Sequence, residues 1–326
     1  MPGAFRYPDD ALILAPLSGF TDLAYRRAAR RGGCRFAFTE MVDAASLAYA
    51  NGHGETLLRR GEEEDFFAAQ LVGADPELLK RACARLAGYE LTLLDFNLGC
   101  PVPKVVKKGA GAALGQNIPR AHRCFATLAS ETDFQLTAKL RILHRTDPSP
   151  TLDLCAGLVE SGATALTVHG RTRENFYSGE VSFDVIAAVR EAFPQVQVIA
   201  NGGVHSQETY RIMRERTGGS QVMLAQGAMG NPWLFRELSG AHTEPPTLAE
   251  WREMVRYHVG EMALLYGEDS AMRQARKIVH DYLKGRGFPA GARAAASTLT
   301  TLAELEELLA AVRPVTGSPS GRKLRV

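Results

Sequence analysis

Eight short apolar segments recur along the first two-thirds of this 326-residue chain, separated by amphipathic helical segments. They are ALILAP (11–16), RFAFTEM (35–41), FFAAQLVG (66–73), LTLLDFN (91–97), FQLTAKLR (134–141), ALTVHG (165–170), VQVIANG (196–202) and QVMLAQG (221–227). Near-continuous apolar strands are typical of a parallel sheet that is covered on both faces. Eight strands alternating with helices predict an α/β fold, a closed TIM (β/α)8 barrel. A doubly wound open sheet is the alternative.

The intervening segments have the end signals of helices, because several begin at Ser, Thr or Asp and end at Gly. They include residues 22–32, 75–88, 151–162, 182–193 and 206–216. After Leu238 the pattern changes: 239–247 has the composition of a linker, and 248–312 has only helical periodicity. We therefore predict a barrel domain over 1–240, a small all-helical domain over 247–313 and a disordered tail over 314–326.

Composition excludes several classes of protein. The chain has no apolar run long enough to span a bilayer and no N-terminal signal pattern, so we expect a cytoplasmic protein without a membrane partner. Its five cysteines form no CxxC pair, which argues against a disulfide framework and a structural zinc site, and we expect no metal. The net charge of +2 does not by itself point to a polyanionic partner, so any such signal must be local, and residues 270–293 alone carry a net +5.

Polar residues stand at the ends of most predicted strands, where the loops of a TIM barrel carry catalytic groups. They are Ser18, Glu40, Gln70, Asn97, Cys100, Lys139, Arg141, His169, Arg171, Asn201–Gly203 and Gln226–Gly227. Glycine loops after strands seven and eight are suited to a phosphate, which backbone N–H groups can bind. The glycine-rich stretch 109–114 lacks the last glycine of a dinucleotide-binding fingerprint, so the pattern does not favour a Rossmann site.

These strand-end motifs, taken in order, resemble the tRNA-dihydrouridine synthases. The resemblance rests on APLSGFTD (15–22), FTEMV (38–42), QLVG (70–73), NLGCP (97–101), KLR (139–141), VHGRTR (168–173), YSG (177–179), VIANGG (198–203) and GNPWLF (230–235). It continues into ARKIVHDYLKG (275–285), which resembles the second domain of the family and most closely its B-type bacterial subfamily.

The resemblance implies a flavoenzyme that uses FMN to add a hydride to C6 of a tRNA uridine, with NADPH as the reductant of the flavin. Such an addition needs a general acid for C5. Cys100 matches the family's proton donor, and a thiol of ordinary pKa is mostly protonated at neutral pH. Three nearby lysines would favour the thiolate if they faced the sulfur, so we expect them to face RNA phosphates instead.

Further site residues follow from the same resemblance. The implied cofactor-binding residues are Pro16, Leu17, Ser18, Gln70, Lys139, His169, Asn201, Gly202, Gly203, Ala225, Gln226 and Gly227. The implied substrate residues are Asn97 and Arg141 for the extruded uracil. For tRNA we predict Arg171, Arg173 and Tyr177 after strand six, the loop lysines Lys104, Lys107 and Lys108 from their spacing beside Cys100, and Arg273, Arg276, Lys277 and Lys284 from the cluster of charge in the helical segment. The expected protein is a monomer.

Two positions depart from the family's pattern. Gly203 stands where the family usually has Asp, and Ala225–Gln226 stands where it usually has Gly-Arg, whose arginine helps to hold the FMN phosphate. Two other functions stay open: an FMN barrel that reduces a free pyrimidine or another small molecule, and an RNA-binding barrel that has lost flavin chemistry. A basic helical tail favours an RNA substrate over a free base, and the joint presence of Cys100, Lys139 and His169 argues against a pure binding module.

Overall fold

The eight predicted strands form a closed parallel barrel. A computed structural model of the protein describes residues 5–50, 52–241, 244–314 and 324. Each strand pairs with the next and the last pairs with the first, so the TIM barrel is confirmed and the open sheet is wrong. The strands are β1 Leu12–Leu14, β2 Phe36–Asp43, β3 Ala68–Val72, β4 Leu93–Leu98, β5 Leu136–Arg141, β6 Ala165–His169, β7 Gln197–Asn201 and β8 Val222–Leu224. The last strand is shorter than predicted, because the chain turns into a 3-10 helix at Gln226–Ala228.

Helices occupy most of the remaining described chain. Their bounds are α1 Leu23–Arg31, α2 Ala44–Ala48, α3 His53–Leu57, α4 Pro76–Leu86, α5 Pro103–Val106, α6 Ala112–Gly115, α7 Ile118–Glu131, α8 Ser149–Glu160, α9 Phe183–Ala192, α10 Gln207–Thr217, α11 Leu234–Leu238, α12 Leu248–Tyr266, α13 Glu268–Leu283, α14 Ala290–Ala296 and α15 Leu302–Ala311. Side-chain caps begin several of them, as at Asp75, Ser206 and Thr247. The predicted disordered tail lies outside the described residues except for Pro314 and Leu324.

The interior of the barrel has an apolar layer below a polar one. Alternate strand residues such as Ala68, Leu93 and Ile199 join an aromatic cluster that fills the N-terminal end. Side chains two residues apart on a strand share a face, so the next inward position of β4 is Asp95, which is followed by Asn97. This alternation brings polar side chains to the C-terminal end of the strands.

By its internal packing the chain divides into two compact units. Unit 1 consists of the residues up to Thr21 and of Arg35–Ala225, and it contains all eight strands. Within it, α4, α7, α8, α9 and α10 pack side by side outside the sheet. Unit 2 consists of Asp22–Cys34 and the chain from Gln226 onward. The functional division into 1–240 and 247–313 stays a prediction.

Unit 2 is helical and has an aromatic core. The indole N–H of Trp251 donates to the backbone carbonyl of Tyr282 at 3.1 Å, and the Nδ1 atom of His258 lies 3.2 Å from the Tyr282 hydroxyl. Arg27 of α1 pairs with Glu261 of α12 at 2.7 Å. Among the described helices, none has both the length and the apolar character that crossing a membrane requires.

Candidate active site

Strand register in unit 1 places the polar side chains of neighbouring strands side by side. Gln70 of β3 is paired with Asp95 of β4, and Asn97 is paired with Lys139 of β5. The same register continues from Arg141 to His169 and from His169 to Asn201. Because neighbouring strands lie about 4.8 Å apart, the interior side chains form one contiguous polar set.

The loop that carries Cys100 is held at three points. The Oδ1 atom of Asn97 accepts from the backbone N–H groups of Gly99, at 3.1 Å, and Cys100, at 2.9 Å. Arg141 Nε donates to the Gly99 carbonyl at 2.8 Å, and the N–H of Ala112 donates to the Cys100 carbonyl at 3.0 Å. The structure thus fixes the backbone on both sides of the thiol.

Gly111 leaves room for this loop. Its φ is +60°, and a Cβ atom there would lie 2.6 Å from the Cys100 carbonyl oxygen and 2.9 Å from Val105. Real Cβ atoms do not approach backbone that closely, so only glycine fits without a shift of the loop.

Gly111→Ala is therefore expected to lower turnover at least about tenfold, because the loop must move by a substantial fraction of an ångström. It should also lower the unfolding temperature, since alanine is strained at positive φ. Gly162→Ala is the matched control, because its φ is also positive, at +97°, while a Cβ there meets nothing within 4 Å. Turnover and thermal unfolding of both variants are the measurements. Equal turnover for the two would show that Gly111 does not shape the loop.

The Cys100 thiol is half-buried, and it stays protonated at neutral pH. Burial raises its pKa above the usual value, outweighing an N–H bond from Val102 and the charges of Arg141 and Lys139. Lys108 is ion-paired with Asp43 at 2.7 Å, while Lys104 and Lys107 are exposed. A contact of these lysines with RNA stays a prediction.

Lys139 provides a cation within the polar set. Its Nζ donates to Asn201 Oδ1 at 2.8 Å, and Asn201 Nδ2 donates to the Met223 carbonyl at 2.8 Å. Burial and then the charge of Arg141 lower the pKa of Lys139 from 10.5 to about 8, although Asp95 opposes this. The ammonium is therefore charged at pH 7 and close to titration.

His169 and the glycines after β7 form a cradle with an unused polar atom. The buried Nε2 of His169 has no hydrogen-bond partner within the described chain. Gly202 has a φ of +122°, and a Cβ there would lie 2.8 Å from the imidazole ring. Burial, followed by the surrounding cations, lowers the pKa of His169 well below its usual value, so the ring is neutral. A neutral ring with a free nitrogen, beside a cation and a glycine loop, fits a polar, anionic ligand such as FMN.

The loop after β6 carries exposed aromatic side chains. Tyr177 is 47% exposed, with its ring 5.5 Å from the Arg141 guanidinium carbon, and Phe176 is 38% exposed at a φ of +50°. Arg171 donates to the Gly179 carbonyl at 2.9 Å, and its guanidinium also lies beside Gly203. Arg173 donates to Gln116 at 2.7 Å. Arg171 is therefore near the predicted phosphate loop as well as on the predicted tRNA side.

The remaining predicted residues of unit 1 lie after β1 and β8. Pro16 and Leu17 are half-buried and Ser18 is exposed, and Leu17 exchanges backbone and side-chain hydrogen bonds with Thr21. Ala225 is the last residue of unit 1.

In unit 2, Gln226 is exposed and Gly227 is buried in the 3-10 helix. Arg273 and Lys277 are exposed four residues apart on α13, which places them on one helical face, and Lys284 is exposed directly after the helix ends. Arg276 is half-buried and donates to the Leu299 carbonyl at 2.8 Å. The sequence count of +5 also included Arg286, which is buried and donates to Asn231 at 2.9 Å, so the exposed charge is smaller than the count implied.

Two buried residues of the polar set, Asp95 and Thr137, were not predicted from the sequence. Asp95 accepts from Gln70 Nε2 at 2.7 Å and from Thr137 Oγ1 at 2.6 Å. The signal was present in the spacing of Leu93, Asp95 and Asn97, which places a carboxylate on the interior face of β4.

A closed parallel barrel with a held cysteine, buried cations and a glycine cradle at its C-terminal strand ends defines an α/β-barrel enzyme. The chain belongs to the dihydrouridine synthase family, whose model matches residues 13–316. This family consists of flavin-dependent oxidoreductases.

Curated relatives match most of the chain. The tRNA-dihydrouridine synthase B of Shewanella oneidensis is 33% identical over 277 residues, covering 83% of this chain and 86% of the relative. The tRNA-dihydrouridine synthase B of Pseudomonas aeruginosa is 32% identical over 286 residues, covering 86% of each. A probable tRNA-dihydrouridine synthase of Mycobacterium tuberculosis is 35% identical over 322 residues, covering 91% of this chain and 81% of the relative. The predicted family is confirmed.

Proposed function

We propose that the protein reduces uridines in tRNA to 5,6-dihydrouridine, with FMN as its flavin and NADPH as the reductant. The observation that carries this proposal is the position of the Cys100 thiol, which is held on a fixed loop next to the cationic polar set of the barrel. Family membership and the names of the relatives support the reaction and the substrate. A tRNA substrate also supports a cytoplasmic location, and the monomeric state stays a prediction.

The flavin would be held by the interior polar layer and the cradle after β7. Gln70 and Lys139 are the ring partners, and His169 with Asn201–Gly203 takes the phosphate side. When bound, FMN supplies the hydride for C6 of the uracil and receives its reducing equivalents from NADPH. A charged Lys139 stabilises negative charge on a ring bound beside it. The neutral His169 ring, with its free Nε2, offers a hydrogen bond without adding a charge.

Cys100 supplies the proton for C5. Hydride addition at C6 moves negative charge toward the C4 carbonyl, so protonation at C5 completes the reduction. A thiol whose pKa is raised by burial is still protonated at the pH of the cell and can donate. The three anchors of its loop keep the sulfur in one place, which saves the entropy of finding the reactive geometry.

The target base must leave its stack to reach this site. Tyr177 and Phe176 offer exposed rings beside Arg141, and such rings favour stacking with unpaired bases by about 1–3 kcal/mol each. In unit 2 the exposed Arg273, Lys277 and Lys284 are suited to the phosphates of an RNA backbone.

The test is a reconstituted reaction. Purified protein is incubated with FMN, NADPH and an unmodified tRNA transcript, and the RNA is digested and analysed by mass spectrometry for a gain of two hydrogens on uridine. Parallel reactions contain free uracil or no NADPH. We expect dihydrouridine only with tRNA and NADPH together. Reduction of uracil but not of tRNA would favour the free-pyrimidine enzyme, and tRNA binding without turnover would favour the binding module.

A further inference from the structure

A buried chain of hydrogen bonds connects the interior of the barrel to the Cys100 loop. Gln70 Nε2 donates to Asp95 Oδ2 at 2.7 Å, and Asn97 Nδ2 donates to Gln70 Oε1 at 2.6 Å. The backbone N–H of Cys100 then donates to Asn97 Oδ1 at 2.9 Å. The side-chain amides of Gln70 and Asn97 thus connect the Asp95 carboxylate to the backbone of Cys100.

Both ends of this chain dictate the same direction for the two amides. An ionised carboxylate only accepts, so the Gln70 NH2 group faces Asp95 and its oxygen faces Asn97. A backbone N–H only donates, so the Asn97 oxygen faces Cys100. Asp95, Gln70 and Asn97 are 2%, 1% and 6% exposed, so water competes little for these groups.

Asp95 is itself fixed in its place. Its second oxygen accepts from Thr137 Oγ1 at 2.6 Å, and strand register places Asp95 between Gln70 and Thr137. Burial raises its pKa to about 6, so the group is mostly ionised at neutral pH. An uncharged, apolar side chain at position 95 would leave the Gln70 amide free to flip, so that its oxygen and its NH2 group exchange places.

We propose that Asp95 is a positioning residue, which fixes the Cys100 loop through Gln70 and Asn97 and thereby sets the place of the proton donor. This inference rests on the proposed function for the reaction that Cys100 serves. The placement of the thiol is measurable without that reaction.

The first test compares Asp95→Ala with Asp95→Asn. Alanine removes the acceptor, so we expect turnover on tRNA to fall about 10- to 100-fold, the size of a hydrogen bond to a charged group. Asparagine keeps an oxygen toward Gln70 while its NH2 donates to the Thr137 hydroxyl, so its turnover should stay within about fivefold of wild type.

The second readout needs neither tRNA nor flavin. Iodoacetamide alkylates thiolates, and the rate at Cys100 is followed by mass spectrometry of its peptide in the flavin-free protein. A loosened loop exposes the sulfur and brings its pKa back toward the usual value, and both changes speed alkylation. We expect Asp95→Ala to react about tenfold faster than wild type and Asp95→Asn to react like wild type.

A double-variant cycle separates positioning from general damage to the barrel. If Asp95 acts through Asn97, then Asp95→Ala should change neither rate further in an Asn97→Ala background. An undiminished effect in that background would overturn the proposal, as would equal alkylation of wild type and Asp95→Ala.

A matched threonine pair covers the case in which Asp95→Ala does not fold. Thr137→Val removes the hydroxyl bound to Asp95. Thr167→Val makes the same change at a buried threonine of β6 that does not belong to the series of hydrogen bonds from Asp95 to Cys100. We expect faster alkylation of Cys100 only in Thr137→Val, and equal rates for the pair would overturn the proposal. If wild-type protein does not reduce tRNA, the proposed function fails, but the alkylation rates still decide whether Asp95 positions Cys100.

Discussion

Replacing Cys100 with alanine is expected to lower dihydrouridine formation about 10²- to 10⁴-fold, because a positioned general acid contributes that much to a reaction of this type. Flavin reduction by NADPH should be unchanged, since it does not need the thiol. The two half-reactions are measured separately, as loss of flavin absorbance on mixing with NADPH and as dihydrouridine formed by prereduced enzyme in a single turnover. Cys100→Ser should lie between wild type and alanine, because a hydroxyl is a weaker acid held on the same backbone.

The other cysteines provide the control for this experiment. Cys83 is buried on α4, away from the polar set, and burial raises its pKa to about 11. Cys83→Ala should therefore keep both half-reactions, at a modest cost in stability from the small cavity. Comparable dihydrouridine formation by Cys100→Ala and Cys83→Ala would remove Cys100 from the proton-donor role.

The second large effect is expected at Lys139. Its pKa of about 8 means that the folded, flavin-free protein holds the ammonium charge below pH 8 and loses it above. FMN affinity should therefore be constant near pH 7 and should weaken by up to about tenfold per pH unit above 8. Flavin fluorescence gives the dissociation constant between pH 7 and 9, a range that avoids the phosphate ionisation near 6.

Variants distinguish Lys139 from other titrating groups. Lys139→Met should bind FMN about 10- to 100-fold more weakly at pH 7 and should lose the dependence on pH. Lys139→Arg keeps its charge between pH 7 and 9, so its affinity for FMN should not change with pH, even if that affinity is lower than in the wild type. Lys80→Met removes an exposed lysine of α4 and should behave like wild type. An alkaline weakening that persists in Lys139→Met would assign the titration to a different group.

The barrel could be predicted from the sequence because its signal is local and repeated. Each strand is a short apolar run, because helices cover the sheet on its outer face, and the runs alternate with capped helices. The number of strands and their order along the chain were therefore enough to predict the barrel. The polar ends of the strands were visible for the same reason, since Gln70, Asn97, Lys139 and His169 interrupt apolar runs at equivalent places. The ends of individual strands were less accurate, because they depend on pairing with neighbours.

Hydrogen-bond partners were not predictable from the sequence. The role of Asn97 toward the substrate stays a prediction. The sequence did not show that the Asn97 oxygen accepts from the Cys100 loop, because that contact depends on the path of the loop. Arg286 counted as surface charge in the sequence, yet it is buried against Asn231. A charge count cannot distinguish the two cases, because burial is set by distant parts of the chain.

Arg141 links two loops of the candidate site through its two contacts with backbone carbonyls. One end of its guanidinium is bound to the Gly99 carbonyl, and another is bound to the Thr172 carbonyl at 3.1 Å, on the loop that carries Phe176 and Tyr177. The Cys100 loop and the aromatic loop therefore share one anchoring side chain, so order in either loop favours order in the other, and this coupling is reciprocal. Ordering of the exposed rings of Phe176 and Tyr177 would thus also restrict the backbone that carries Cys100.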